Sequence, residues 1–180
     1  MTPDFDGLLS CPAPRAPLTH ITMAHGGGGS ASGRLIGDEI LSRFGHGPLA
    51  GLPDGATLPG GIVFSTDSFV VTPRFFPGGD IGKLAVCGTV NDIWVAGGIP
   101  RFLSLALILE EGFSRRELGR ILDSVKETAE RCEVQVVTGD TKVVPAGAAD
   151  GIYLNTAGIG VKNPAFDLGR HRLEAGDVVI

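Results

Sequence analysis

The chain has 180 residues, of which 43% are hydrophobic and 19% charged, with a mean hydropathy of +0.23. That is enough length and apolar surface for one well-packed domain and the beginning of another, and it excludes a disordered chain. The net charge of −5, a pI near 5.3 and the lack of a basic run exclude a nucleic-acid binder, which needs a concentrated positive face.

The longest apolar stretch, residues 102–109, is too short to span a bilayer, and the first fifteen residues carry Asp4 and Asp6 where a secretory leader is basic. A soluble, cytoplasmic protein is expected. Cys11, Cys87 and Cys132 are odd in number and lack metal-ligand spacing, which argues against a disulfide scaffold or a zinc site; Cys87 and Cys132 read as small buried hydrophobes.

In chain order, residues 1–16 are polar and proline-rich and read as a mobile tail, followed by a short strand at 18–23. The glycines of His25-Gly26-Gly27-Gly28-Gly29 precede a helix over 30–44, with Ile36, Ile40, Leu41 and Phe44 on one stripe. Nine of the seventeen residues 45–61 are Gly or Pro, so this segment reads as a long loop, either a flap over a site or a surface excursion. A strand over 61–71, a Pro-Gly-Gly turn at 77–79 and a helix over 81–95 follow, then an apolar strand at 102–109.

Ser114 and Glu117 form a capping box that opens the next helix, in which Leu118, Ile121, Leu122, Val125 and Ala129 recur at three- and four-residue steps. Strands at 134–144 and 151–161 flank a turn at 145–150. The last residues, 173–180, carry an Ala-Gly-Asp turn and an incipient strand, suggesting a fragment of a longer protein or a truncated form. The expected divisions are the tail 1–16, a nucleotide-binding and dimerisation domain 17–165, and a linker with the first strand of a further domain at 166–180.

Three aspartates in turn-like contexts carry the chemistry: Asp67 in Ser-Thr-Asp-Ser-Phe, Asp92 in Thr-Val-Asn-Asp-Ile and Asp140 in Thr-Gly-Asp-Thr-Lys. Asp67 and Asp140 interrupt strand-like apolar runs, where an isolated carboxylate is costly unless a cation sits beside it. Magnesium takes a few hard carboxylate oxygens and completes its shell with water and phosphate, so scattered aspartates suffice. Each aspartate by itself is more ordinarily a cap or turn residue; three together favour metal.

Residues 25–29 offer unobstructed N–H groups ahead of a helix, which suits a phosphate, yet they match neither the Walker nor the dinucleotide pattern and read equally as a hinge. Lys142 shares a strand face with Asp140, an anion and a cation suited to magnesium and a transferring phosphoryl group, or to a surface ion pair. His20, His46 and His171 read as solvated or structural, and Trp94 as a packing or interface residue rather than a stacking platform.

The blocks at 25–29, 65–71, 75–92, 109–113 and 138–144 closely resemble the hydrogenase maturation factor HypE, of the aminoimidazole-ribonucleotide-synthetase (PurM)-like superfamily, over about residues 18–180. The resemblance implies an α+β fold, a mixed and largely antiparallel sheet packed against helices, with two sheets pairing into a barrel in a homodimer. It implies an ATP-dependent dehydratase that converts an S-carboxamide on its own C-terminal cysteine to a thiocyanate for the cyanide ligands of nickel–iron hydrogenase. ATP and Mg2+ are the implied cofactors.

By motif, Asp67, Asp92 and Asp140 would bind the metal, Asp92 and Lys142 would act in catalysis, and residues 25–29 with Asn91 and Thr141 would line the nucleotide site. The implied partners are a second copy, the carbamoyl transferase HypF and the HypC–HypD complex. None of the three cysteines matches the acceptor motif, so the chain alone is expected to be inactive, and Trp94 stands where relatives carry a smaller residue. A dimerisation and assembly module is the alternative reading. A sister ATP-dependent enzyme resembling selenophosphate synthetase is disfavoured by the long run 75–92.

Overall fold

A computed structural model describes residues 20–166, 168–169 and 172–179. The expected tail, His171 and Cys11 lie outside the described residues. The chain divides into two compact units, the first ending at His46 and the second beginning at Gly47.

In the first unit the described part of the expected strand at 18–23 is not a strand: a 3-10 turn, Met23–Gly26, occupies its end. His25 explains the difference, because its Nδ1 accepts the Thr22 N–H at 3.0 Å and closes a tight turn. Helix α1 (Ser30–Leu35), a π-helical segment (Ile36–Leu41) and α2 (Ser42–Phe44) then form the expected helical stretch. The widened middle turn was not foreseen. Within the stripe, Ile40 and Phe44 are exposed.

The second unit is α+β. Its five-stranded sheet has the order β1 (Ala56–Leu58), β2 (Ile62–Phe69), β7 (Ile152–Lys162), β5 (Gly98–Glu110), β6 (Gln135–Val144). All pairings are antiparallel except β5–β6, which are joined through a helix and run parallel. A small hairpin, β3 (Phe75–Phe76) with β4 (Gly79–Asp80), turns at the expected Pro-Gly.

Helix α3 (Ile81–Val95) starts where Asp80 caps it by accepting the Lys83 N–H at 3.0 Å. Helix α4 (Arg115–Arg131) starts at Ser114, whose side chain accepts from the Glu117 N–H at 3.4 Å. Both helices lie on one face of the sheet. Between them and the sheet are two clusters, one around Phe69, Ile81, Leu107, Ile121 and Leu154, the other around Val86, Val90, Leu103, Val125 and Val134.

The segment 45–61 is more ordered than the loop expected there, because β1 pairs with β2 and two 3-10 turns flank it. At the other end, no strand forms among residues 172–179.

Two glycines set how closely α3 approaches the sheet. A Cβ at Gly88 would meet the Phe69 ring at 2.8 Å, and one at Gly158 would meet Ile93 and Thr89 side chains at 2.6 and 2.7 Å. The opposite, open face carries Ile62, Phe64, Phe102, Ile159 and Val161, each 38–55% exposed. They form one patch, because the registers pair Ile62 with Val161, and Phe64 and Phe102 with Ile159. No helix among the described residues is long and apolar enough to cross a membrane.

Candidate functional site

Alternation along β2 puts Val63, Ser65, Asp67 and Phe69 on the helix-covered face. Its partner Thr156, opposite Asp67, lies under α3 and donates to the Ala85 carbonyl at 3.1 Å, with the Thr89 hydroxyl beside it. Asp67 therefore points to the helix side, toward Gly88 of α3, yet is exposed, a correction to the expectation of a costly inward acid. Its Oδ1 accepts the Ser68 N–H at 2.8 Å.

Asp92, near the end of α3, is half-buried beside β2. The Ser65 hydroxyl, 3% exposed, lies 2.9 Å from Asp92 Oδ2 and 2.8 Å from the Asp54 carbonyl, so one proton serves two acceptors. Burial pushes the Asp92 carboxyl above its ordinary value. The Ser65 hydrogen bond opposes that rise, and the charges of Asp54 and Asp67 add to it. The result is a patch of three carboxylates, Asp54, Asp67 and Asp92, around a buried serine.

Sequence reading passed over Ser65 and Asp54. Ser65 stood two residues before Asp67, on the same face, and that alternation was the available signal. Beside Asp54 lies an open cavity of about 590 Å³, also lined by Gly55, Thr57, Val95, Ala96 and Lys162. Lys162 Nζ donates to the Ala96 carbonyl at 2.8 Å, at the C-terminal end of α3.

Asp140 does not join this patch. The β5–β7 register pairs Leu105 with Thr156, and the β5–β6 register pairs Ala106 with Asp140, so Asp140 lies on the open face. It pairs there with Lys142, whose Nζ is 3.0 Å from Asp140 Oδ2, and both side chains are more than half exposed. The hydrogen bond from Lys142 is the first cause that lowers the Asp140 carboxyl below its ordinary value, followed by one from the Thr141 backbone. Among the described residues no three His, Cys, Asp or Glu side chains are grouped to hold a metal ion. Asn91 and Thr141 are exposed.

In the first unit, the glycine segment is braced from within: the Gly28 N–H donates to Ser32 Oγ at 2.9 Å, and Ser32 Oγ–H to the His25 carbonyl at 2.7 Å. Gly28 has φ 72°, and a Cβ at Gly26 or Gly29 would meet open space.

The second unit is thus an α+β domain, a one-layer sheet with two helices on one face, acidic residues near the end of α3 and an apolar open face. The chain belongs to the family of the AIR synthase related protein, N-terminal domain, which it matches over residues 54–162. Carbamoyl dehydratase HypE from Escherichia coli (strain K12) is 44% identical over 171 residues, covering 91% of this chain and 51% of that protein.

Two solved structures are similar. A HypE–HypF complex matches at 50% identity with a TM-score of 0.69, over 71% of this chain and 42% of that one. HypE in complex with ATP matches at 49% identity with a TM-score of 0.57, over 80% of this chain and 44% of that one. The resemblance to HypE stands. The chain spans about half the length of the curated relatives it matches.

Proposed function

We propose that the chain is the nucleotide-binding and dimerisation part of a HypE-type, ATP-dependent carbamoyl dehydratase of hydrogenase maturation. The observation that carries this reading is the half-buried Asp92, braced by the Ser65 hydroxyl and near enough to Asp67 to feel its charge, in a domain 49% identical to a HypE solved with ATP. Carboxylate oxygens are the hard donors that magnesium takes, and a divalent cation beside Asp92 would favour its charged form against the burial, and the added charges of Asp54 and Asp67, that raise it.

In this reading Asp67 and Asp92 hold the cation with water and phosphate oxygens completing its shell, and Asn91 contributes polar contacts to the nucleotide. His25 to Gly29 present backbone donors to phosphate. Bound ATP supplies the phosphoryl group that activates a carboxamide oxygen, whose loss as phosphate leaves the thiocyanate that becomes cyanide ligand. Asp140, Thr141 and Lys142 lie on the other face of the sheet, so their phosphate-side role depends on a second copy of the chain bringing them to the nucleotide.

The homodimer itself rests on the exposed apolar patch of the open face. HypF as a partner is carried by the similar HypE–HypF complex, and the HypC–HypD complex and a cytoplasmic location follow from the same assignment.

Calorimetric titration with ATP and magnesium tests the site. Asp92→Ala should weaken binding at least tenfold, and Asp67→Asn should abolish the magnesium dependence of what remains. Equal binding by wild type and both variants would remove the acidic patch from the reading.

A further inference from the structure

Ser65 is 3% exposed on β2 and shares a face of that strand with Asp67, two residues further on. Its hydroxyl stands between two acceptors, Asp92 Oδ2 at 2.9 Å and the Asp54 carbonyl at 2.8 Å, which hold it in place. Only one carboxylate oxygen of Asp92 is engaged in this way, and among the described residues no hydrogen bond reaches Oδ1. Asp92 is therefore pinned at one oxygen and open at the other. That distinction matters to a cation. Magnesium demands a near-ideal octahedron at about 2.0–2.1 Å, and the two oxygens of one carboxylate subtend too narrow an angle to fill two of its positions. Calcium accepts more ligands at about 2.3–2.6 Å in a flexible shell and readily takes both oxygens of one carboxylate.

We infer that Ser65 is a positioning residue that sets the ion preference of the proposed site, holding Asp92 to a single metal-facing oxygen and so favouring Mg2+ over Ca2+. The inference rests on the reading of Asp92 as a cation ligand and names the residue that selects the ion. Ser65 touches neither ion nor nucleotide; it acts through Asp92. Its hydroxyl on Oδ2 keeps the carboxylate from turning both oxygens to one cation, and its anchorage on the Asp54 carbonyl keeps that hydroxyl from following a carboxylate that rotates. Without the hydroxyl, the loosened carboxylate can embrace the larger ion with both oxygens, while magnesium loses an oriented ligand and gains nothing. The two ions respond in opposite senses, which a general weakening of the fold does not produce.

Calorimetric titration of the full chain with ATP, once with Mg2+ and once with Ca2+ in saturating excess, gives the ratio of the two affinities. Ser65→Ala should move that ratio toward Ca2+ by about tenfold. Ser65→Thr, which keeps the hydroxyl, should hold the wild-type ratio, and Ser65→Val, of the same shape without the hydroxyl, should shift as Ser65→Ala does. An unchanged ratio in Ser65→Ala and Ser65→Val, or equal weakening with both ions, would overturn the inference while leaving the site in place. Asp92→Ala separates that failure from a failure of the site: if it binds ATP as wild type does with either ion, the cation ligand itself is wrong and the inference falls with it.

Discussion

Asp92 is half-buried, feels the charges of two other carboxylates, and has one serine hydroxyl to share. A raised carboxyl binds more protons in the native than in the unfolded state. Its stabilising contribution is therefore whole below the unfolded value and is lost as pH rises through the folded one. Asp92→Asn should accordingly make the ligand-free protein more stable at pH 7, with the difference closing toward about pH 4. Urea unfolding at both pH values measures it, and a variant less stable than wild type at pH 7 would contradict the assigned cause. Asp140 has the opposite sign, its lowered carboxyl helping at neutral pH and losing that help in acid, but its exposure keeps the effect small.

Which residues form the patch was only partly legible. Asp67 announced itself as an acid interrupting an apolar run and Asp92 as an acid in a turn-like context, whereas a serine in a strand is too common to read as a brace. The face of Asp140 was not legible at all. It is set by a one-residue register shift after Leu103, which pairs Ser104 with Thr138 rather than with Val137. Without that shift Asp140 would turn to the helix side. Nothing local in the sequence records it.

Element boundaries were better marked, because caps and turns are local events. Helix α3 begins after the Pro-Gly-Gly-Asp turn and ends before Gly97-Gly98, where a Cβ at Gly98 would strike Val63. For α4, the Ser114 bond at 3.4 Å is long. Ser114→Ala should therefore lower stability by about 0.5–1 kcal/mol, as read by thermal unfolding, and Ser114→Asp should recover most of it. A loss well above that range would mean that Ser114 does more than cap. Residues 45–61 misled because glycine and proline suggest a loop, while pairing of Ala56–Leu58 with β2 and the Ser65 bond to the Asp54 carbonyl are long-range. The π turn at 36–41 has no signature at the level of apolar spacing, since a widened turn leaves the stripe nearly in place.

For the molecule as a whole, the unmatched faces of the sheet decide the behaviour. Helices cover one side. The other leaves Ile62, Phe64, Phe102, Ile159 and Val161 in a single patch, which costs free energy in water unless a second surface meets it. In the proposed homodimer this patch is the interface. Sedimentation velocity should find a dimer at micromolar concentration, and the double substitution Phe102→Lys, Ile159→Lys should give a folded monomer with unchanged helical circular dichroism. A dimer that survives both lysines would place the contact elsewhere.

The last strand among the described residues, β7, sits in the middle of the sheet, hydrogen-bonded to β2 on one side and β5 on the other. A ribosome therefore releases β2 and β5 long before the element that joins them exists. Until Lys162 has emerged, the nascent polypeptide exposes raw, sticky strand borders to its surroundings, and chaperone protection during synthesis matters most in that interval.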